Sequence, residues 1–227
     1  MKRGAATQGK VAESVSGAGG IEIKATIPDA QIDKALARFK LSADNDQERF
    51  IYFFDTPALD LLNAGIVARA RRIIGKEHDS TVKARPVVPE KVSTDWNKYP
   101  GFKIEADASE KGVVKSASLS MPVEKGLIKA VLAGEKKIVK LFAREQEAFV
   151  AELVKGKIDY STVAILGPLH AQRWKLEDRG CPWPITAELW RREDGERLME
   201  VSIKAPIPQA AAAIGGLVIR LFCRSRH

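Results

Sequence analysis

Cysteine and histidine are scarce in this chain: two and three, respectively, among 227 residues. Cys181 and Cys223 are too few and too ill-placed for a disulfide framework, so the expected setting is the reducing cytoplasm. His78, His170 and His227 are scattered along the chain. Neither a zinc centre nor a histidine-based catalytic dyad is expected. The N-terminus is basic but has no apolar stretch of the signal-peptide kind. The apolar run AAAAIGGLVIRLF at 210–222 is too short to span a bilayer, which argues against stable membrane association. Trp96, Trp174, Trp183 and Trp190 follow no regular spacing and read as packing groups rather than base-stacking platforms. With no basic run and no RNA-binding aromatic motif, nucleic acid is not an expected partner.

What is present is charge in excess of one sign. The net charge is +8 and the pI about 9.5, so anionic partners are favoured by the overall field. The length fits one domain with a substantial core. Residues 1–19, rich in Gly, Ser and Ala, are expected as a flexible tail, residues 20–208 as the domain, and residues 209–227 as a C-terminal helix or tail. Period-two alternation predicts strands at 20–27, 50–55, 66–74, 80–88, 101–108, 161–167, 171–178, 184–192 and 196–204. A helix is expected from Pro28, a second after Asp55-Thr56-Pro57 that closes at Gly65, and a helical middle over 122–156 that ends at Gly156.

Most of these strands repeat one pattern, with apolar residues on one face and charges on the other. The charged rows are Glu22/Lys24, Arg69/Arg71, Lys83/Arg85, Lys103/Glu105/Asp107, Arg173/Lys175/Glu177, Glu188/Arg192 and Glu200/Ser202/Lys204. Two readings stand. A half-buried sheet shows water its polar face. Alternatively, a closed sheet turns the charges inward around a small ligand. Arg69 and Arg71 lie about 6.7 Å apart on one strand face. If the row Lys83/Arg85 stands beside them, each like-charge contact costs on the order of 2.5 kcal/mol at an effective dielectric near 20. Stability alone is a poor explanation for repeating such a contact.

The stretch RFIYFFDTPALDLLNAGIVARARR at 49–72 resembles the CYTH family of triphosphate tunnel proteins. So do IEIK at 21–24, STVKARP at 80–86, KIEA at 103–106 and AELWRREDGERLMEVSIK at 187–204. The family includes thiamine triphosphatases, tripolyphosphatases and class IV adenylate cyclases. The resemblance implies an α+β fold: a closed eight-stranded antiparallel β-barrel with a charged interior and helices packed outside. It implies a small anionic substrate, a triphosphate or polyphosphate, hydrolysed with Mg²⁺ or Mn²⁺. Arg69, Arg71, Lys83, Arg85, Lys103, Arg173, Lys175 and Lys204 would clamp phosphates, since guanidinium forks match phosphate oxygens and lysines add compact charge. Lys24 would flank the attacked phosphoryl group. Glu22, Glu105, Glu188 and Glu200 would hold the metal, with Glu105 and Glu188 equally suited as partners of the tunnel's arginines. The chain departs from the family pattern at Gly20, which replaces the first glutamate of E-x-E-x-K, and at Ser202, which replaces the second glutamate of the last strand. The resulting E-x-S-x-K marks a divergent subgroup. Two alternatives follow: a non-catalytic polyphosphate- or nucleotide-binding module, and a class IV-type adenylate cyclase, for which the sequence shows no base pocket.

Overall fold

The computed structural model describes residues 14–109, 112–154, 159–178 and 181–209. Nine strands close into one barrel: β1 (Gly20–Ile27), β2 (Gln47–Asp55), β3 (Ile66–Ile73), β4 (His78–Ala84), β5 (Phe102–Ser109), β6 (Gly112–Val123), β7 (Ala164–Asp178), β8 (Cys181–Arg191) and β9 (Arg197–Ala205). Their order around the ring is β1-β5-β6-β4-β3-β2-β7-β8-β9. The β1·β5 contact is parallel, whereas every other one is antiparallel. The barrel is therefore mixed and nine-stranded rather than eight-stranded and antiparallel. The two differences have one cause, because an odd ring cannot alternate direction throughout and must contain a parallel contact. The unexpected strand is β6, whose inward row is Ser116, Ser118 and Ser120 rather than charges. The runs expected at 161–167 and 171–178 are instead one strand, β7.

The helices are α1 (Asp29–Phe39), α2 (Asp60–Asn63), α3 (Leu127–Leu132) and α4 (Arg144–Val154). They cover the barrel's outside through two apolar cores. In one, Tyr52, Phe54, Ile66, Val82 and Leu119 meet Ile128 of α3 and Phe149 and Val150 of α4. In the other, Ile21, Ile23, Leu189 and Met199 meet Ile32 of α1 and Val15, which lies in the segment expected as a tail. Each such fully buried side chain contributes about 1.5–3 kcal/mol, so this outer face is where the fold is held.

The helical middle expected over 122–156 is instead the end of β6, α3, a 3₁₀ turn at Ile138–Leu141 and then α4. Gln146 shows why. Fully buried, it accepts from the Ala143 amide and the Ser80 hydroxyl, and it donates to the Ser80 and Leu119 carbonyls. It thus caps α4 and ties it to β4 and β6. The expected end at Gly156 lies outside the described residues. After β2 the Asp55 carboxylate accepts from the amides of Thr56, Leu61 and Leu62. It thereby satisfies first-turn amides of α2, although the helix begins at Asp60 rather than Pro57. Gly65 has φ +78°, and a Cβ there would lie 2.5 Å from the Arg85 carbonyl oxygen. That close approach brings β3, with its arginines, against the end of β4.

Candidate active site

Alternation decides what the barrel encloses. Ile21, Ile23 and Ala25 turn outward into a core, so Glu22 and Lys24 turn inward. The same parity, carried across each register, puts Arg49, Arg69, Arg71, Asp79, Lys83, Glu105, Asp107, Arg173, Glu188, Glu200 and Lys204 inside.

One wall is rich in arginine. Register sets Asp79 opposite Arg71, Thr81 opposite Arg69 and Lys83 opposite Val67. The like-charge rows expected side by side on β3 and β4 are thus offset, and the repulsion between them is largely avoided. Arg71 forks Asp79 through Nε and Nη2 at 2.8 and 2.7 Å. Arg49 Nη1 and Arg173 Nε share Glu188 Oε1 at 3.4 and 3.2 Å. The Arg173 contact is close enough for charge attraction but is not aligned as a hydrogen bond. Arg69 has no carboxylate partner among the described residues, and its Nε is sealed from solvent with no hydrogen bond. Burial, and after it the Arg71 charge, pulls the Arg69 pKa down to about 10. Burial lowers Arg49 to about 10 as well, against the pull of Glu188. Both remain cations at neutral pH.

The opposite wall alternates in sign. Glu105, Lys204, Glu22, Lys24 and Glu200 form a chain with successive contacts of 2.7, 3.7, 3.6 and 3.4 Å. Burial depresses the Lys24 pKa, but Glu22, Glu200 and Asp107 outweigh it and leave the ammonium above the ordinary lysine value. Burial raises Glu200, against Lys24, and Glu22 and Glu188 add to the rise. Asp107 faces Glu22 across the β1·β5 register. Its Oδ2 accepts from Lys83 at 2.7 Å and Ser116 at 3.1 Å, while its buried Oδ1 has no partner. Burial opposes ionisation of Asp107, but Lys83 prevails and holds its pKa below the usual carboxylate value.

Of the residues expected at the site, Lys103, Lys175 and Lys204 share the inward parity yet are exposed. Arg85 lies just past β4 and is exposed too. Two inward residues were not anticipated. Asp79 continues the Lys83/Arg85 row by two-residue steps, a signal present in the sequence. Arg49 shares its inward row with Ile51 and Phe53, so no charged alternation marks it.

Glu105 pairs with Lys204 and Glu188 with the arginines, whereas Glu22 and Glu200 hold Lys24 between them at 3.6 and 3.4 Å. No group of three or more His, Cys, Asp or Glu residues is arranged to hold a metal among the described residues. Mg²⁺ or Mn²⁺ demands less than that, because such ions take one or two carboxylates and complete their shell with water and substrate phosphates. Glu22 and Glu200, with the unpartnered Asp107 Oδ1 in register beside Glu22, fit that demand.

The barrel matches solved structures over nearly its whole length. A candidate adenylate cyclase from Bacillus halodurans aligns with a TM-score of 0.60 at 13% identity, covering 92% of this chain and 91% of that one. The fold is CYTH-like. A candidate adenylyl cyclase from Hippeastrum, reported to have a dominant triphosphatase activity, aligns at 0.57 and 16% identity, covering 88% and 86%. No protein-family model and no curated protein matches the sequence. At these identities the likeness is one of fold. In this CYTH-like barrel, a cavity of about 910 Å³ near the C-terminal end of β9 is lined by Lys103, Glu105 and Lys204. A groove of about 580 Å³ by the β8–β9 turn is lined by Phe53, Leu166, Leu169 and Arg192. No helix among the described residues is long and apolar enough to cross a membrane.

Proposed function

We propose that the barrel interior binds the phosphate chain of a triphosphate or polyphosphate compound and hydrolyses it with a divalent cation. The observation that carries this reading is Arg69: a half-buried arginine whose sealed Nε has no hydrogen bond, beside Arg71 and Arg49. An unpaired buried cation is costly to the folded chain, and an anion in the barrel relieves that cost. Arg49, Arg69, Arg71 and Arg173 present guanidinium donors to the phosphates from β2, β3 and β7. Lys83 adds charge from β4. Lys24, between two carboxylates, is placed to turn toward the attacked phosphoryl group. Mg²⁺ or Mn²⁺, held by Glu22 and Glu200, would offset charge that develops on the phosphoryl oxygens. Water attacks the terminal phosphorus, the P–O anhydride bond breaks, and the water's proton passes to a carboxylate or a substrate oxygen. The triphosphatase activity of the Hippeastrum protein supports this reading at the level of a shared fold.

A second reading, cyclisation of ATP, draws on the groove at Phe53, Leu166 and Leu169, where a nucleobase could lie near Arg69. Formation of cyclic AMP from ATP decides for it.

The test is phosphate release from tripolyphosphate with Mg²⁺ or Mn²⁺, against an EDTA control and an Arg69→Ala/Arg71→Ala variant. Metal-dependent release that is lost in the variant is expected. If folded protein releases no phosphate yet is stabilised by tripolyphosphate, the barrel is a binding module.

A further inference from the structure

The arginines that face the barrel interior differ in how far each guanidinium is already engaged. Arg71 donates from Nε and Nη2 to the two oxygens of Asp79, at 2.8 and 2.7 Å. Register sets these residues opposite one another on β3 and β4, and their side chains are only 20 and 21% exposed. Arg69, two residues back on the same face, stands opposite the neutral Thr81. Of two neighbouring guanidinium groups, then, one has no carboxylate and the other is forked by one, in the bidentate geometry that a phosphate uses. We propose that Asp79 is an internal competitor of the phosphate chain at Arg71, and that it sets the barrel's affinity for phosphate ligands through a contact the ligand must take over.

The surroundings of Asp79 make it a competitor rather than a support. No cation other than Arg71 pairs with it among the described residues. Across the other edge of β4 it faces Pro122, which has no side-chain donor. Once a phosphoryl group takes the Arg71 fork, the Asp79 carboxylate is left half-buried, unpaired and beside a second anion. Both effects oppose binding. The charge of Asp79 also reaches Arg49 and Arg69, so it offsets part of the positive charge of the whole wall. Glu188 is held more loosely, because one of its oxygens is divided between Arg49 and Arg173 at 3.4 and 3.2 Å. Asp79 is therefore the closest counterion on this wall. Its role rests on the phosphate-binding half of the proposed function, and neither on the metal nor on hydrolysis.

Calorimetric titration with tripolyphosphate in EDTA tests this on the full-length wild type, Asp79→Asn, Asp79→Ser and Glu105→Gln, each checked for folding by thermal unfolding. The Asp79 variants are expected to unfold at a lower temperature, because Arg71 loses its partner, and yet to bind tripolyphosphate roughly five- to tenfold more tightly. A merely structural Asp79 would lose stability and affinity together. Glu105→Gln removes the same unit of charge from the opposite wall and should change the affinity by about twofold at most. Weaker or unchanged binding in whichever Asp79 variants fold overturns the proposal, as does failure of both to fold, since either result makes Asp79 a support for Arg71. An equal gain in Glu105→Gln also overturns it, by assigning the effect to net charge. In these cases binding by wild type leaves the phosphate reading in place. If no folded protein binds tripolyphosphate, that reading falls together with the role of Asp79.

Discussion

The two walls of the barrel interior treat their charges in opposite ways. On the wall formed by β5, β1 and β9, lysines and glutamates alternate, so that each charge has a neighbour of opposite sign. On the wall formed by β2, β3 and β7, arginines outnumber the carboxylates Asp79 and Glu188, and Arg69 is left without one. A compensated wall contributes specificity at little net cost. An uncompensated one holds a half-buried charge at a net cost to the fold. On the proposed reading the labour of the site divides in the same way, with anions taken by the arginines and the metal by glutamates of the lysine–glutamate chain.

Replacing Arg69 breaks the comparison most directly. In Arg69→Met, tripolyphosphate binding measured by calorimetry should weaken by about 1.5–3 kcal/mol, the worth of a charge-assisted hydrogen bond, which is roughly tenfold to a hundredfold. The ligand-free variant should unfold at a higher temperature than wild type, because a desolvated cation has been removed. A lower unfolding temperature would show that the arginine wall is compensated after all.

A smaller and opposite effect is expected where a buried charge is well paired. Asp107→Asn deprives Lys83 of its partner and should cost about 1–3 kcal/mol in urea unfolding at neutral pH. Because the folded pKa of Asp107 is depressed, its contribution is present above the ordinary aspartate value and is lost as pH falls through the folded one. The gap between wild type and variant should therefore close on acidification below about pH 4. A gap that persists in acid would assign the effect to packing.

The exposed cations should matter least. Arg85→Ala and Lys175→Ala are expected to weaken tripolyphosphate binding severalfold at most, and the loss should fade at high salt, since screening acts on solvent-exposed charge. A loss as large as that of Arg69→Met would move the binding locus from the interior to the rim.

Much of this arrangement is legible along the chain. Period-two alternation locates β1, β3, β8 and β9 closely, and it groups Glu22 with Lys24, Arg69 with Arg71, and Glu200 with Lys204. It fails at β6, where serines replace charges and the amphipathic contrast is weak. It also fails at Arg49, whose inward neighbours Ile51 and Phe53 are apolar. The helical middle expected over 122–156 misreads a segment whose last helix Gln146 sets through hydrogen bonds to β4 and β6, residues remote in sequence. The resemblance to triphosphate tunnel proteins indicates an inverted barrel and overlooks the ninth strand, along with the parallel contact that an odd ring requires.

By itself the sequence determines which side chains share a face, because alternation is a property of a single strand. Whether that face looks into the barrel or into water is settled by tertiary structure, since it depends on helices that cover the apolar side from elsewhere in the chain. Register is likewise a property of pairs. Only the β3·β4 pairing sets Asp79 against Arg71 and leaves Arg69 alone, and only the β1·β5 and β1·β9 contacts bring Glu105, Lys204 and Glu22 together. The charge of each residue is local, but its compensation is not, because the energy of a buried charge depends on what the fold places next to it.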